Sequence, residues 1–95
     1  MRKRIEDKEL LKSYRTLRCV ICSKYAPDAC HIKSKGSGGD DVEDNILPQC
    51  RAHHTEQHQK GWKHMVDKYP ILERNLSARG WEVREVFGVW KLTKK

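Results

Sequence analysis

Long apolar runs are missing from this 95-residue sequence: only 37% of its residues are hydrophobic, and no stretch approaches the roughly eighteen apolar residues of a membrane-crossing helix. No membrane span is therefore expected. The opening residues, MRKRIEDKEL, also lack the apolar centre of a secretory signal. Aromatic residues are scarce at 7%, with a single phenylalanine, so material for a large core is short too. A domain of this size buries only about 60–65% of its unfolded surface, and so thin a core calls for a covalent or metal staple.

Four cysteines offer that staple. In a secreted domain they would pair as disulfides, and the sequence leaves that reading open. Without an export signal a reducing, cytoplasmic setting is expected, where thiolates bind metal instead. All four, with four of the five histidines, fall between residues 19 and 58 as Cys19-x2-Cys22, Cys30-His31, Cys50-x2-His53 and His54-x3-His58. So dense a set of polar, metal-competent side chains cannot be a hydrophobic core.

Acidic charge is scarce outside that region. Residues 1–18 carry seven Lys/Arg against three acids and residues 59–95 carry nine against four, whereas residues 19–58 carry four against six. Basic flanks around a slightly acidic centre suit a protein that neutralises a phosphate backbone with its outer elements and holds a cation near its middle. Charge alone also fits plain soluble helix faces.

Residues 4–16 fit a short helix that docks through Leu10, Leu11 and Tyr14, with Ile5 near the same stripe, leaving Arg2, Lys3, Arg4, Lys8, Lys12, Arg15 and Arg18 to solvent or DNA. A knuckle at residues 17–24 is followed by a short strand over residues 29–32 that Pro27 introduces. Residues 34–44 are glycine-rich and acidic and read as an exposed loop; residues 45–48 read as a second strand returning the chain to the knuckle. A helix is expected from about His54, interrupted at Gly61 and ended by Pro70, with Trp62, Met65, Val66 and Tyr69 as its packing stripe. Residues 71–79 suggest a further helix with Ile71, Leu72 and Leu76 apolar, stopped by Gly80. Residues 81–92 alternate loosely about Gly88 as a small hairpin. Its aromatics, Trp81, Phe87 and Trp90, are most simply packing residues, an aromatic shelf for nucleic-acid bases being the lesser reading.

Two half-sites of matched spacing, Cys19/Cys22 and Cys50/His53, present the four ligands of a structural zinc. A competing set takes Cys30 as the fourth thiolate and releases His53, but the seven-residue gap to Cys30 is awkward within a strand. His54 and His58 share a helix face, and imidazoles at that spacing chelate a divalent ion.

The Cys19/Cys22 pair, His31-Ile32, Gly38-Gly39, Asn45 followed by Ile46-Leu47-Pro48, and Cys50-x2-His53-His54-x3-His58 together resemble the HNH endonucleases of the ββα-metal (His-Me finger) type, small modules common in bacteria and phages. The resemblance covers residues 19–58. It implies an α+β fold, with a zinc-supported ββα-metal core, an N-terminal helix, and a C-terminal helix plus small β-hairpin, forming one nuclease domain over residues 1–95 with its motif core at 19–69. It implies that His31 is the general base, that Asn45 holds loop and strand so that His31 points correctly, and that His54 binds a catalytic divalent metal (Mg²⁺, Mn²⁺, Ni²⁺ or Zn²⁺) with His58. Cys19, Cys22, Cys50 and His53 would carry the structural zinc, and Lys33, Lys35, Arg51, Lys60 and Lys63 would grip phosphates. The implied activity is metal-dependent hydrolysis of DNA, by a phage or prophage type of enzyme with room for a homodimer or a phage DNA-processing partner. One departure stands out: family members usually carry Asp or His immediately before the general base, and this chain has Cys30, which leaves Asp28, or Asp40 and Asp41 in the loop, as the alternative sources of a metal-binding oxygen. A non-catalytic, zinc-stabilised nucleic-acid-binding module derived from a nuclease is the alternative.

Overall fold

The computed structural model describes residues 3–25 and 28–95, so Arg2 on the expected basic face and Pro27 at the expected strand start lie outside the described residues. The architecture is mixed α+β. The first helix, α1, covers Lys8–Ser13 rather than residues 4–16. Asp7 caps it, its carboxylate accepting from the Leu10 N–H at 3.0 Å. Upstream, the backbone is recruited away from helical bonding: Ile5 N donates to Asp40 Oδ1 (2.8 Å), Asp7 N donates to Asp41 Oδ2 (2.9 Å), and Asp41 N donates to Ile5 O (2.9 Å). Ile5 is consequently exposed instead of lying on an apolar stripe, while Tyr14 is buried and Leu10 and Leu11 are half-buried. Arg4, expected to face solvent or DNA, is instead drawn against the same loop.

The knuckle closes through Cys19 N donating to Lys24 O and Ser23 N donating to Cys19 O, with Arg18 and Tyr25 bridged antiparallel. It leads to β1 (Asp28–His31), which pairs antiparallel with β2 (Ile46–Gln49) in the register Cys30↔Leu47 and His31↔Ile46. The intervening loop is not wholly exposed, as its composition suggests: Gly39 and Asp41 are buried. A side chain at Gly39 would place its Cβ 1.8 Å from Lys33 O, so only glycine lets the loop fold back onto the end of β1.

Helix α2 (Arg51–Lys68) starts directly after Cys50, three residues before the expected position, and breaks at Gly61 (φ 87°, ψ 168°). Helix α3 (Ile71–Ala78) buries Leu72 and Leu76 but leaves Ile71 exposed, against expectation. Gly80, at φ 81°, ends that segment and admits the hairpin of β3 (Trp81–Val86) and β4 (Val89–Lys94). Ile32, Leu47, Met65, Val66, Leu72 and Leu76 form the core, with Val20, Ile21, Trp62, Tyr69, Trp81, Val83, Trp90 and Leu92 packed around it. Trp81 and Trp90 thus pack as expected, whereas Phe87, at the hairpin tip, is fully exposed and packs on nothing in the core. No helix among the described residues is long and apolar enough to cross a membrane.

Candidate active site

The knuckle and the start of α2 bring Cys19, Cys22, Cys50 and His53 together, with all four ligand atoms within 4.8 Å of one another. Cys22 Sγ lies 3.8 Å from Cys50 Sγ, and His53 Nδ1 lies 3.2 Å from Cys50 Sγ and 3.6 Å from Cys19 Sγ. Four ligands on arms of about 2.3 Å stand about 3.8 Å apart at the corners of a tetrahedron, so these separations are consistent with a structural zinc site. Burial disfavours the Cys19 thiolate. The surrounding backbone N–H groups of Cys50, Cys22 and Ile21, together with His53, outweigh burial and bring that thiol down to about 6. Burial and the neighbouring sulfurs of Cys22 and Cys19 push the Cys50 thiol the other way. Cys30 is not a member. Its Sγ is 3.6 Å from Gln57 Oε1, and burial followed by the Asp28 charge pushes it up to about 12, so it is a protonated packing thiol.

Beside the Cys19, Cys22, Cys50, His53 cluster, β1 and the first turns of α2 carry His31, His54 and His58 to one cavity of about 340 Å³, lined also by Leu11, Ala29, Ser34 and Lys35, whereas His64 lies apart and pairs with Glu56. The Nε2 atoms of His54 and His58 stand 2.9 Å apart. Asp28 Oδ2 lies 2.9 Å from His54 Nδ1 on the far side of that ring. A carboxylate there fixes the proton on Nδ1 and turns the Nε2 lone pair towards His58.

His31 has a partner of its own. Its Nε2 lies 2.7 Å from Asp41 Oδ1, which also accepts from Arg4 Nη1 at 2.8 Å. Burial would raise the Asp41 pKa, but the Asp7 N–H, His31 and Arg4 together hold it at about 2, so Asp41 is a carboxylate throughout the physiological range. Asn45 does not face the cavity. It is buried, its Oδ1 accepts from Lys33 N at 2.8 Å, and its Nδ2 donates to Lys33 O (3.1 Å) and Asp40 O (2.9 Å). These bonds clamp both ends of the loop, while Ile32 N donates to Asn45 O at 2.8 Å.

A family model described as "Putative HNHc nuclease" matches residues 3–78. The chain belongs to this HNH nuclease family. Comparisons with curated proteins and with solved structures returned no match. The matched span takes in the Cys19, Cys22, Cys50, His53 cluster, the histidine cavity and α1 but stops before the β3–β4 hairpin.

Within this HNH chain the expected phosphate-gripping cations are spread over several environments. Lys35 borders the histidine cavity, and Lys33 borders a second cavity of about 410 Å³ with Asn45, Trp81 and Lys94. Arg51 is exposed but reaches Asp28 Oδ1 at 3.0 Å. Lys60 is exposed before the Gly61 break, and Lys63, beyond it, pairs with Asp67 at 2.8 Å. Asp41, Asp28 and Arg4 escaped the sequence reading in the contacts they make. Asp41 and Asp28 figured there only as sources of a metal oxygen, and Arg4 only as a surface cation. The pairing of basic residue 4 with an acid in the glycine-rich loop has no local sequence signature, whereas the acidic run Asp40-Asp41 is the signal that marks the loop as a partner for His31.

Proposed function

We propose that this HNH family member is a metal-dependent DNA endonuclease in which His31 is the general base, the whole chain acting as one nuclease domain around the motif core at residues 19–69. The observation that carries the reading is the convergence of His31, with its Asp41 partner, and the His54/His58 pair on a single cavity braced by the Cys19, Cys22, Cys50, His53 cluster. The β1–β2 hairpin followed by α2 supports reading the core as a ββα-metal finger.

The chemistry follows from the side chains. Asp41, ionised and buried, accepts the Nε2 proton of His31, which leaves the Nδ1 lone pair free to take a proton from water as it attacks phosphorus. The same carboxylate then stabilises the imidazolium that forms. Asn45 acts as a positioning residue by fixing the backbone that follows His31. The donor set fits a catalytic cation: two imidazole nitrogens 2.9 Å apart match neighbouring ligands on arms of about 2.1 Å, and Asp28 orients one of them. His54 and His58 would hold a divalent ion that would supply charge stabilisation at the scissile phosphate, and their imidazole donors favour Mn²⁺, Ni²⁺ or Zn²⁺ over Mg²⁺. The expected products carry 5′-phosphate and 3′-hydroxyl ends. Lys33, Lys35, Arg51, Lys60 and Lys63 position the backbone without reading sequence. The thiol-rich cluster suits a reducing cytoplasm, and the resemblance to small HNH modules suggests a phage-type enzyme that acts alone, as a homodimer or beside a DNA-processing partner.

Cys30 supports a second reading, a zinc-stabilised nucleic-acid-binding module that has lost catalysis, because a buried thiol stands where family members place a metal-binding Asp or His. Plasmid nicking with Mg²⁺, Mn²⁺, Ni²⁺ and Zn²⁺, comparing the native chain with His31→Ala, separates the two. Nicking by the native chain that His31→Ala abolishes is the expected result. DNA retention with no nicking under any metal would favour the binding module.

A further inference from the structure

The β3–β4 hairpin lies beyond the residues matched by the nuclease family, and its two faces are unlike each other. In its register Trp81↔Lys94, Val83↔Leu92 and Glu85↔Trp90 alternate with Glu82↔Thr93, Arg84↔Lys91 and Val86↔Val89. The first set supplies Trp81, Val83, Trp90 and Leu92 to the core. The second faces away, since residues two apart share a face. Its Val86 and Val89 are 44% and 54% exposed, and beyond them Phe87 is 101% exposed.

Two local features of this tip oppose folding. Phe87 occupies φ 52° and Gly88 φ 77°, the left-handed pair of a two-residue hairpin turn, in which Asn or Asp normally stands at the first position. Arg84 and Lys91 are directly opposite across the strands, and like charges so placed destabilise a sheet. Glu82 relieves Arg84 alone, at 3.1 Å. An exposed aromatic in a strained turn, beside apposed cations, is unfavourable in water but complementary to an anionic partner that has apolar slots between its charges.

We propose that this hairpin is a duplex-engaging arm, in which Phe87, backed by Val86 and Val89, wedges between base steps while Arg84 and Lys91 hold the flanking phosphates. The proposal rests on the reading of DNA as the substrate. Charge argues for nucleic acid over a second copy of this chain, because a self-complementary contact would bring Arg84 and Lys91 of two chains of net charge +7 together. The base of the arm is tied to the nuclease core: Trp81 Nε1 donates to Asp44 O, and Trp81 and Lys94 border the cavity that contains Lys33 and Asn45. Strands of six residues carry the tip about 17 Å from that base, about half a turn of duplex. The arm therefore contacts DNA outside the cleavage centre, where it can confer a preference for steps that unstack easily.

The test uses the full chain in the His31→Ala background, so that DNA stays intact, with duplexes carrying 2-aminopurine at successive steps. The expected result is enhanced 2-aminopurine fluorescence at one step, lost in Phe87→Ala together with about tenfold in affinity and restored in Phe87→Trp. Arg84→Ala/Lys91→Ala is expected to reduce the dependence of log affinity on log salt by about 2. Circular dichroism confirms that each variant is folded. Unchanged affinity and fluorescence in Phe87→Ala overturn the proposal, as does a Phe87-dependent self-association or binding to anionic vesicles without unstacking of DNA. Nicking by the native chain with no unstacking sinks the arm and leaves the nuclease reading, whereas unstacking without nicking sinks catalysis and leaves the arm.

Discussion

Asp41 Oδ1 stands 2.7 Å from His31 Nε2, across a loop that is folded back by residues 4–7 at the other end of the chain. The same carboxylate accepts from Arg4 and from the Asp7 N–H, so the fixing of His31 and the anchoring of the N-terminal segment are one hydrogen-bond network. That coupling is the basis of the first expectation.

If His31 is the base proposed above, Asp41→Asn is expected to lower kcat about 10- to 100-fold with little effect on KM, because the imidazolium would lose its counter-charge. Stability should respond as well. The Asp41 pKa is depressed in the folded chain from 3.8 to about 2, so its contribution, at most about 2 kcal/mol, is complete above about pH 4 and is lost as pH falls towards 2. Urea unfolding at pH 6, where zinc is retained, should show the native chain more stable than Asp41→Asn by up to that amount.

Chelation of zinc at neutral pH is expected to unfold the chain, because the Cys19, Cys22, Cys50, His53 cluster joins the knuckle to the start of α2. Near-ultraviolet circular dichroism of the three tryptophans should collapse and recover when zinc, but not magnesium, is restored. Cys50→Ser should behave like the chelated chain, while Cys30→Ala should retain one zinc per chain by elemental analysis. Loss of zinc in Cys30→Ala with retention in Cys50→Ser would reassign the site.

Asp28→Asn leaves the hairpin and core intact but removes the carboxylate from His54 Nδ1. Affinity for the catalytic ion is expected to fall about 10- to 100-fold, read as a shift of the Mn²⁺ activation curve with the thermal midpoint nearly unchanged. An unmoved curve would show that Asp28 does not orient His54.

Gly39→Ala should be severe for so small a change. The added Cβ would meet Lys33 O at 1.8 Å and Asn45 Nδ2 at 2.9 Å, and the first of these is backbone that cannot turn aside. A loss of about 1–3 kcal/mol in urea unfolding is expected. Nicking should fall further than the folded fraction does, because the Asn45 clamp on Lys33 opens with the loop.

Much of the candidate site was legible before any coordinates. The half-sites Cys19/Cys22 and Cys50/His53 converge as their spacing implied, and His54 and His58, one helical turn apart, meet at 2.9 Å. The break at Gly61 and the stop at Gly80 followed from glycine alone. What escaped was the helix over residues 4–7, the loop expected to be open at Gly39 and Asp41, and the packing role given to Phe87. In each case a distant partner, or the lack of one, overrode local propensity: the loop captured the N–H groups that would have begun a helix, and the hairpin carried its only phenylalanine past the edge of the core.

The sequence by itself therefore determined the Cys3His cluster, the shared helix face of His54 and His58, and the places where the chain must turn, since bond lengths and helical periodicity act over a few residues. Only the tertiary structure decided that Asp41 serves His31, that Asp28 serves His54, that Arg4 is inside the network, and that Cys30 packs against Gln57 instead of a metal. Those pairings depend on the register of β1 against β2 and on closure of the loop between them. A one-residue slip would turn every side chain of the hairpin to its other face, and nothing in the local spacing of residues records which register packs the core.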